Sequence, residues 1–309
     1  MSKPIVLHAG PIMDLTRDRL STDFTLVEIT RGAMPDPDAS QARAIIASGA
    51  PITAALIEAL PNLGAIVAFG VGTDSIDLPA ARARGISVAN APGVTDACVA
   101  DMAMALLLAL RRGLLAGDRY VRDGNWPKAP FPLRRRVTGK RMGILGLGRI
   151  GGAIARRAQA FDMPISYHNR TQSPDLPYAW KPSVQALAAD CDVLVLACNG
   201  GPATRDLVNA AVLEALGPDG VLINIARGSV VDEAALIDAL QSGKIAGAGL
   251  DVFAQEPHVP PALCALPNVV LMPHRAGATV ETFLDCADAV VANLRAFYRG
   301  EPLLTPIPA

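Results

Sequence analysis

Aromatic side chains are scarce in this sequence, and neither sign of charge predominates. Aromatic residues make up 4% of the 309 residues and apolar residues 51%, so the core must be mainly aliphatic. The formal net charge of −1 gives no electrostatic basis for binding nucleic acid or an anionic membrane surface. A local basic run, Arg134-Arg135-Arg136, is more typical of a solvated loop than of a binding patch.

Long apolar runs and targeting signals are also missing. The longest apolar run, residues 102–110, is followed by Arg111 and is far shorter than the roughly 20 residues that cross a bilayer. At the N-terminus a strand pattern begins at Ile5, without the apolar region and cleavage site of a signal peptide. These features predict a cytoplasmic protein with no membrane span.

Cysteine is infrequent, and its spacing excludes common cysteine chemistry. The five cysteines form no C-x-x-C pair and show no metal-ligand spacing. Most of them lie in apolar stretches, which predicts reduced, buried thiols and no bound metal. They are Cys98, Cys191, Cys198, Cys264 and Cys286.

A glycine motif is the most informative feature that the sequence contains. It reads Gly146-Leu147-Gly148-Arg149-Ile150-Gly151. An apolar strand pattern over 141–145 precedes it, a helical pattern over 149–161 follows, and a second strand pattern covers 164–168. This setting is typical of a dinucleotide-binding turn, in which the helix N-terminus faces the pyrophosphate. The alternative is a tight strand–helix turn without a ligand.

The end of the next predicted strand indicates which dinucleotide is bound. An acidic residue that bonds the adenosine ribose usually stands there in NAD-binding proteins. This chain instead has Asn169-Arg170-Thr171, with no carboxylate. Arg170 can pair with a 2′-phosphate through charge-assisted bonds, and Asn169 and Thr171 can add neutral ones. The sequence therefore predicts NADP, with NADPH preferred over NADH. A solvated surface arginine is the alternative reading.

Short strand patterns alternate with helical patterns along the whole chain, which predicts α/β domains with parallel sheets covered on both faces. The predicted strands are 5–8, 25–29, 44–47, 65–69, 87–89, 141–145, 164–168, 192–197, 221–225, 245–250 and 268–271. Helices include 53–60 and 78–84, and two long helices are expected near 95–116 and 279–299. Residues 117–140 are expected to form an irregular loop.

The two long helices are expected to connect two doubly wound domains with a cleft between them. Residues 1–98 and 281–309 would form a discontinuous, flavodoxin-like substrate domain. Residues 99–280 would form a Rossmann-type cofactor domain.

Only four histidines are available for acid–base chemistry, and His274 has the most suitable setting. It follows a predicted strand and opens a glycine-containing turn, at the sheet edge where doubly wound domains bind ligands. His8 has no acidic neighbour in sequence, His168 falls near the expected adenosine, and His258 lies in a proline-rich loop. For any single histidine, a structural role remains the alternative.

Two charged residues at other strand ends complete a possible catalytic set. Arg227 follows the predicted strand 221–225, and its guanidinium suits bidentate binding of a carboxylate and a ketone oxygen. Glu256 follows the predicted strand 245–250 and can stabilise a protonated imidazole. Asp251 is placed to accept a hydrogen bond from a carboxamide. Considered singly, Arg227 and Glu256 would more often be surface charges.

Four segments in order carry a resemblance to a known family. They are Gly-Leu-Gly-Arg-Ile-Gly from 146, Ile-Asn-Ile-Ala-Arg-Gly from 223, Gly-Leu-Asp-Val-Phe-x-x-Glu-Pro from 249 and Pro-His-x-x-x-x-Thr from 273. Over nearly the whole chain the sequence resembles the D-isomer-specific 2-hydroxyacid dehydrogenases. It is most similar to their NADP-dependent glyoxylate/hydroxypyruvate reductase branch, which includes hydroxyphenylpyruvate reductases.

The resemblance implies roles for individual residues. His274 would donate the proton, Glu256 would be its partner, and Arg227 would bind the substrate. Backbone N–H groups of Val71 and Gly72 would hold the substrate carboxylate. Further cofactor contacts would come from Cys198, Ile225, Ala226, Arg227, Asp251, His274 and Gly277.

The implied activity is NADPH-dependent reduction of small 2-keto acids such as glyoxylate and hydroxypyruvate. A cofactor-sensing protein like the related transcriptional corepressors is the alternative from another class. Two departures from the family pattern are Cys198-Asn-Gly-Gly-Pro202, where Cys-Pro-Leu-Thr-Pro is usual, and Arg275 after the histidine.

A homodimer is also predicted, from the helix near 95–116. This segment is apolar around most of its circumference, and Asp101 is its only charge before Arg111. Such a helix must be covered on both sides, and a twofold partner is a common cover. Burial between the chain's own domains is the alternative.

Overall fold

The computed structural model describes residues 3–29 and 41–307. The chain divides into two compact units. Unit 1 comprises residues Met1–Thr95 and Ala278–Ala309, and unit 2 comprises residues Asp96–Gly277. Unit 1 is therefore discontinuous in sequence, whereas unit 2 is a single continuous segment.

The described residues form an alternation of short strands and helices. The strands are β1 (Ile5–Ala9), β2 (Thr25–Ile29), β3 (Ala44–Ala47), β4 (Ala65–Ala68), β5 (Ser87–Ala89), β6 (Met142–Leu145), β7 (Ile165–His168), β8 (Ala179–Trp180), β9 (Val193–Leu196), β10 (Val221–Asn224), β11 (Gly247–Leu250) and β12 (Val269–Leu271). The helices are α1 (Asp14–Ser21), α2 (Ala54–Glu58), α3 (Leu78–Ala83), α4 (Asp96–Arg112), α5 (Leu114–Arg122), α6 (Arg149–Gln159), α7 (Val184–Ala189), α8 (Ala210–Leu216), α9 (Glu233–Gln241), α10 (Pro261–Cys264) and α11 (Val280–Tyr298).

Each unit contains one all-parallel, doubly wound sheet, which confirms the predicted fold class. The unit 1 sheet has the order β2-β1-β3-β4-β5. The unit 2 sheet has the order β12-β11-β10-β9-β6-β7-β8, so the strand order reverses between β6 and β9. In open sheets of this kind, ligands bind beyond the carboxyl ends of the strands at such a reversal. The glycine motif begins directly after β6.

Apolar side chains fill both faces of each sheet. In unit 1, successive residues of β1 point to opposite faces, so Leu7 packs in one core cluster and Val6 in the other, with α11. In unit 2, Ile144 packs with α4 and α6, whereas Leu145 packs with α7, α8 and α9. Because both faces are covered, inner strands such as β3, β4 and β9 are continuous apolar runs without alternating polar residues.

One long helix was expected over 95–116, followed by a loop over 117–140, and this prediction is wrong. The helix α4 ends at Arg112, because Gly113 takes a left-handed conformation with φ of 62° that interrupts the helix. A second helix, α5, then covers Leu114–Arg122 and has no buried residue. The two-residue strand β8 was also not predicted.

The apolar face of α4 is covered within unit 2. Its buried residues include Ala100, Met104 and Leu107, which pack in the cluster beneath α6 and the unit 2 sheet. The apolar circumference of α4 therefore does not by itself require a partner subunit. Within residues 3–29 and 41–307, no helix combines the length and apolar character needed to cross a bilayer.

Candidate active site

The three glycines of the turn after β6 differ in how much space surrounds them. Gly146 has φ of 94°, and a Cβ there would lie 2.5 Å from Cα of Cys198. A Cβ on Gly151 would overlap the backbone oxygen of Gly146. A Cβ on Gly148 would meet no heavy atom within 4 Å. Two glycines therefore permit close packing of the turn, and Gly148 leaves its outer side open to a ligand.

The residues between these glycines are Leu147, in the turn, and Arg149 and Ile150, the first two residues of α6. The Leu147 amide donates to Oδ1 of Asn169 at 2.8 Å, which ties the turn to the end of β7. The Arg149 side chain lies 3.3 Å from the Asp96 carboxylate, and Ile150 is half-buried. The first amides of α6 have no partner within the helix, so they can bind an anion.

The end of β7 exposes a cation. Arg170 and Thr171 are exposed, and Arg170 has no ion-pair partner among the residues that the structure describes. His168 is fixed nearby, because its Nδ1 lies 2.8 Å from the carbonyl oxygen of Lys181 and its ring stacks on Trp180. The Trp180 indole also donates to the carbonyl of Asn169. The strand β8 thus shapes the segment that presents Arg170.

The turn after β10 holds Arg227 through a residue that was not predicted. Asn224 is buried, and its side-chain oxygen accepts from the Ala226 amide at 3.0 Å. Its amide nitrogen donates to the carbonyl of Arg227 at 3.1 Å. A Cβ on Gly228 would overlap the backbone of Phe253. The half-buried Arg227 is therefore fixed by the backbone on both of its sides. Ile225 and Ala226 are buried in this turn.

The unusual Asn199-Gly200-Gly201 loop lies against Arg227. A Cβ on Gly200 would approach Cγ of Arg227 to 2.7 Å. The Arg227 guanidinium donates from Nη1 to the carbonyl of Ala226 at 2.7 Å. Cys198, at the start of this loop, is largely buried, which raises the pKa of its thiol to about 11. Cys198 is therefore a packing residue beside Gly146.

His274 and Glu256 form a direct pair. Nδ1 of His274 lies 2.6 Å from Oε2 of Glu256, and the other carboxylate oxygen of Glu256 accepts from the Phe253 amide at 3.0 Å. The two side chains are 49% and 33% exposed, so the pair is open to a ligand. Because the carboxylate engages Nδ1, Nε2 remains the nitrogen that can face a substrate.

Asp251 fixes the turn that carries His274. His274 has φ of 53°, a left-handed conformation that costs a residue with a Cβ about 1–2 kcal/mol. Its amide donates to the Asp251 carbonyl at 2.8 Å. The carboxylate oxygens of Asp251 accept from the amides of Arg275 at 2.7 Å and Ala276 at 2.9 Å. Three successive amides are thus held by one residue.

The burial of Asp251 has an electrostatic consequence. Burial raises the pKa of its carboxyl above the ordinary value, and the two backbone donors oppose this effect. Both oxygens already accept a backbone bond, so a bond to a carboxamide would have to use a second lone pair. Gly277, three residues before α11 begins at Val280, is half-buried.

The contacts and exposure of the other histidines and of the cysteines give no sign of a catalytic or metal-binding role. His8 is buried, with Nδ1 2.8 Å from the carbonyl of Gly10, and His258 is exposed. All five cysteines are free thiols, and Cys264 is exposed, so the expectation that all are buried is wrong there. In the described part of the chain, no three histidine, cysteine or acidic residues form a metal site.

The predicted carboxylate loop follows β4 in unit 1. Gly70 has φ of 130°, and its carbonyl accepts from the Ala91 amide at 2.8 Å. The Val71 carbonyl accepts from Nδ2 of Asn90 at 2.8 Å. In the described ranges, the amides of Val71 and Gly72 donate to no other protein group. Asn90 is a second site residue that was not predicted.

Comparison with known proteins assigns the family. Residues 104–276 match the model of the NAD-binding domain of D-isomer specific 2-hydroxyacid dehydrogenases. The chain is 46% identical over 307 residues to a 2-ketogluconate reductase of Gluconobacter oxydans, covering 99% of each. It is 47% identical over 307 residues to a hydroxyphenylpyruvate reductase of Plectranthus scutellarioides, covering 98% of each.

A solved structure gives the same result. An NADPH-dependent glyoxylate/hydroxypyruvate reductase of Sinorhizobium meliloti, crystallised with NADP and malonate, is 44% identical with a TM-score of 0.94. The alignment covers 99% of this chain and 97% of that one. The chain therefore belongs to the D-isomer-specific 2-hydroxyacid dehydrogenase family, which confirms the resemblance drawn from its motifs.

Proposed function

We propose that this protein is an NADPH-dependent reductase that converts small 2-keto acids, such as glyoxylate and hydroxypyruvate, to D-2-hydroxy acids. The observation that carries the proposal is the His274–Glu256 pair, built into the same unit as Arg227 and the glycine turn. The relatives that share almost the whole chain are named as reductases of this kind. They give no support to the corepressor-like alternative.

The residues of unit 2 fit a dinucleotide. The open side of Gly148 and the first amides of α6 suit a pyrophosphate. Arg170 suits a 2′-phosphate, since it is exposed and an acidic residue is missing from that strand end. The NADP bound in the Sinorhizobium meliloti reductase supports the same cofactor here.

Substrate binding would depend on the carboxylate beside the ketone. The amides of Val71 and Gly72 would donate to this carboxylate, and the Arg227 guanidinium would contact the carboxylate and the keto oxygen. Fixing the substrate in this way aligns its carbonyl carbon for attack. The nicotinamide cofactor, when bound, supplies the hydride.

His274 would supply the proton of the reduction. Nε2–H of the protonated ring donates its proton to the keto oxygen while the carbonyl carbon gains the hydride, giving an alcohol. Glu256 stabilises the protonated ring through Nδ1 and fixes its orientation. Arg227 polarises the ketone and stabilises negative charge that develops on its oxygen. In the oxidative direction, the neutral ring would accept the proton.

The assembly would be a cytoplasmic homodimer, with an interface formed by the segment around α5. Large apolar side chains are exposed over this segment, and Leu133 is 99% exposed. Several large exposed apolar side chains within one short segment are typical of an interface. The exposed residues are Leu114, Leu115, Val121, Trp126 and Leu133.

A steady-state screen tests the proposed function. Glyoxylate, hydroxypyruvate and 2-ketogluconate would be assayed with NADPH and with NADH, beside glyoxylamide as the uncharged control. We expect turnover of at least one acid with NADPH and very poor turnover of the amide. Efficient reduction of the amide, or no NADPH oxidation with any keto acid, would contradict the proposal.

A further inference from the structure

The two amides that would hold the carboxylate are oriented by their own peptide planes. In a trans peptide, the C=O of one residue and the N–H of the next point in opposite directions. The Gly70 carbonyl is fixed by Ala91, so the Val71 N–H points away from Ala91. The Val71 carbonyl is fixed by Asn90, so the Gly72 N–H points away from Asn90. Residues 90 and 91 therefore set the direction of both donors.

Asn90 is held in turn by the C-terminal tail of the chain. The Thr305 hydroxyl donates to the Asn90 carbonyl at 2.5 Å. The backbone N–H of Asn90 donates to the Thr305 carbonyl at 3.4 Å. An antiparallel bridge between Ala89 and Pro306 continues this pairing along β5. The tail is thus paired with the segment that orients the carboxylate loop.

Thr305 is held by a buried residue of α11. Nδ2 of Asn293 donates to Oγ1 of Thr305 at 3.0 Å and to the carbonyl of Ala289 at 2.9 Å. Its Oδ1 accepts from the amides of Leu304 at 2.9 Å and Thr305 at 3.2 Å. Asn293 is 1% exposed and uses both donors and both acceptor positions of its amide. Its orientation is therefore determined by its partners.

These bonds form one directional chain. Asn293 donates to the Thr305 hydroxyl, which donates to the carbonyl of the peptide between Asn90 and Ala91. The N–H of that peptide donates to the carbonyl of the peptide between Gly70 and Val71. The last N–H in this series of hydrogen bonds belongs to Val71. Hydrogen bonds linked in this way polarise one another, so each strengthens the next donor.

We propose that Asn293 and Thr305 are positioning residues that orient and strengthen the Val71 amide for the substrate carboxylate. This inference rests on the proposed function, in which that amide binds a 2-keto acid. It assigns a role in substrate affinity to the C-terminal tail and to the buried face of α11.

The test compares Thr305→Val with Thr305→Ser in the full-length enzyme. Valine removes the hydroxyl and keeps the side-chain shape, whereas serine keeps the hydroxyl. One hydrogen bond contributes about 0.5–1.5 kcal/mol, so we expect Thr305→Val to raise the KM for glyoxylate about 2- to 10-fold. The KM for NADPH should not change, and kcat should remain within about twofold. Serine should restore the parental KM.

Leu304→Ala is the matched control, because this neighbouring side chain is 61% exposed and lies outside the chain of bonds. It should leave the KM for glyoxylate unchanged. An unchanged KM in Thr305→Val, or a raised KM in both Thr305 variants, overturns the inference.

Asn293→Asp gives a second test if Thr305→Val does not fold. The carboxylate keeps the acceptors for the two tail amides and removes the donor to Thr305, so the hydroxyl can turn toward Asp and away from Asn90. We again expect a raised KM for glyoxylate, and a folded variant with a parental KM overturns the inference. If the parent enzyme reduces no keto acid, the proposed function fails, and the inference fails with it. If the parent is active and the variants are unaffected, the inference alone fails.

Discussion

We expect cofactor choice to depend on Arg170, whose side chain is exposed at the end of β7. Charge-assisted hydrogen bonds contribute roughly 1.5–3 kcal/mol each, so we expect Arg170→Ala to raise the KM for NADPH about ten- to a hundredfold. The KM for NADH should change little, because NADH has no 2′-phosphate. Steady-state kinetics with both cofactors measure this. Arg156→Ala, which removes another exposed cation of unit 2, is the control for net charge. Equal effects of Arg170→Ala on both cofactors would contradict the assignment.

We expect the contact between His274 and Glu256 to influence the pH dependence of the reaction. Reduction requires a proton on Nε2 of His274, so its rate depends on the protonated form of this ring. Glu256→Gln removes the negative charge beside Nδ1 and destabilises the protonated ring. We therefore expect the falling limb of the reduction profile to move to lower pH. The profile of kcat/KM for glyoxylate between pH 5 and pH 10 measures this shift.

His274→Ala completes the same experiment. It should lower kcat by a factor of about 10² or more, while NADPH binding measured by fluorescence stays near the parental value. A Gln variant with an unshifted limb would remove Glu256 from its assigned role, even if His274→Ala were inactive.

At the scale of the element, two glycines of the turn between β6 and α6 are expected to have different roles. Gly151 would allow close packing, and Gly148 would leave space for the cofactor. Gly151→Ala should destabilise the protein by about 1–3 kcal/mol, because its Cβ would overlap the Gly146 backbone oxygen, which cannot move cheaply. Gly148→Ala should leave the melting temperature unchanged, since its Cβ would meet no heavy atom within 4 Å, but it should weaken NADPH binding. Thermal denaturation without cofactor and NADPH titration measure the two effects. A destabilised Gly148→Ala variant would show that the turn is packed on both sides.

The regular elements could be predicted from the sequence because their signals are local. Strands such as β3, β6 and β10 are continuous apolar runs between turns, and their predicted positions differ from the structure by at most one residue at each end. The helix α5 was missed because none of its residues is buried and Gly117 lies in its middle. The break at Gly113 depends on a backbone conformation that the apolar pattern of α4 does not reveal.

The site could be predicted in part for the same reason. The His274–Glu256 contact was predicted because each residue follows a predicted strand, a carboxylate can stabilise an imidazolium, and the family resemblance makes the two residues partners. Asn224, Asn90 and Asn293 were not predicted, because an asparagine that acts through bonds to backbone groups has no recognisable sequence pattern. Asp251 was predicted to accept a hydrogen bond from a carboxamide, and the backbone bonds that it accepts appear only in the folded turn.

For the whole molecule, the exposed apolar side chains around α5 allow the proposed homodimer to be tested. We expect a dimer of about 64 kDa in sedimentation at micromolar concentration, twice the 32.1 kDa of one chain. Leu115→Asp should shift the equilibrium toward the monomer, because it places a charge in the apolar interface. Leu304→Asp, at an exposed leucine of unit 1, is the matched control and should remain dimeric. A stable, active parent of about 32 kDa would contradict the dimer.

The discontinuity of unit 1 also sets the order in which the chain can acquire its structure. Unit 2 is one continuous segment, so every strand of its sheet has been synthesised before α11 emerges. Unit 1 has its five strands early, but one face of its sheet is covered by Val290, Val291 and Leu294 of α11. The part of that apolar face that packs on α11 therefore stays uncovered during synthesis until α11 has emerged. A ribosome-bound chain that ends before residue 280 would carry a complete cofactor domain and an unfinished, aggregation-prone partner domain.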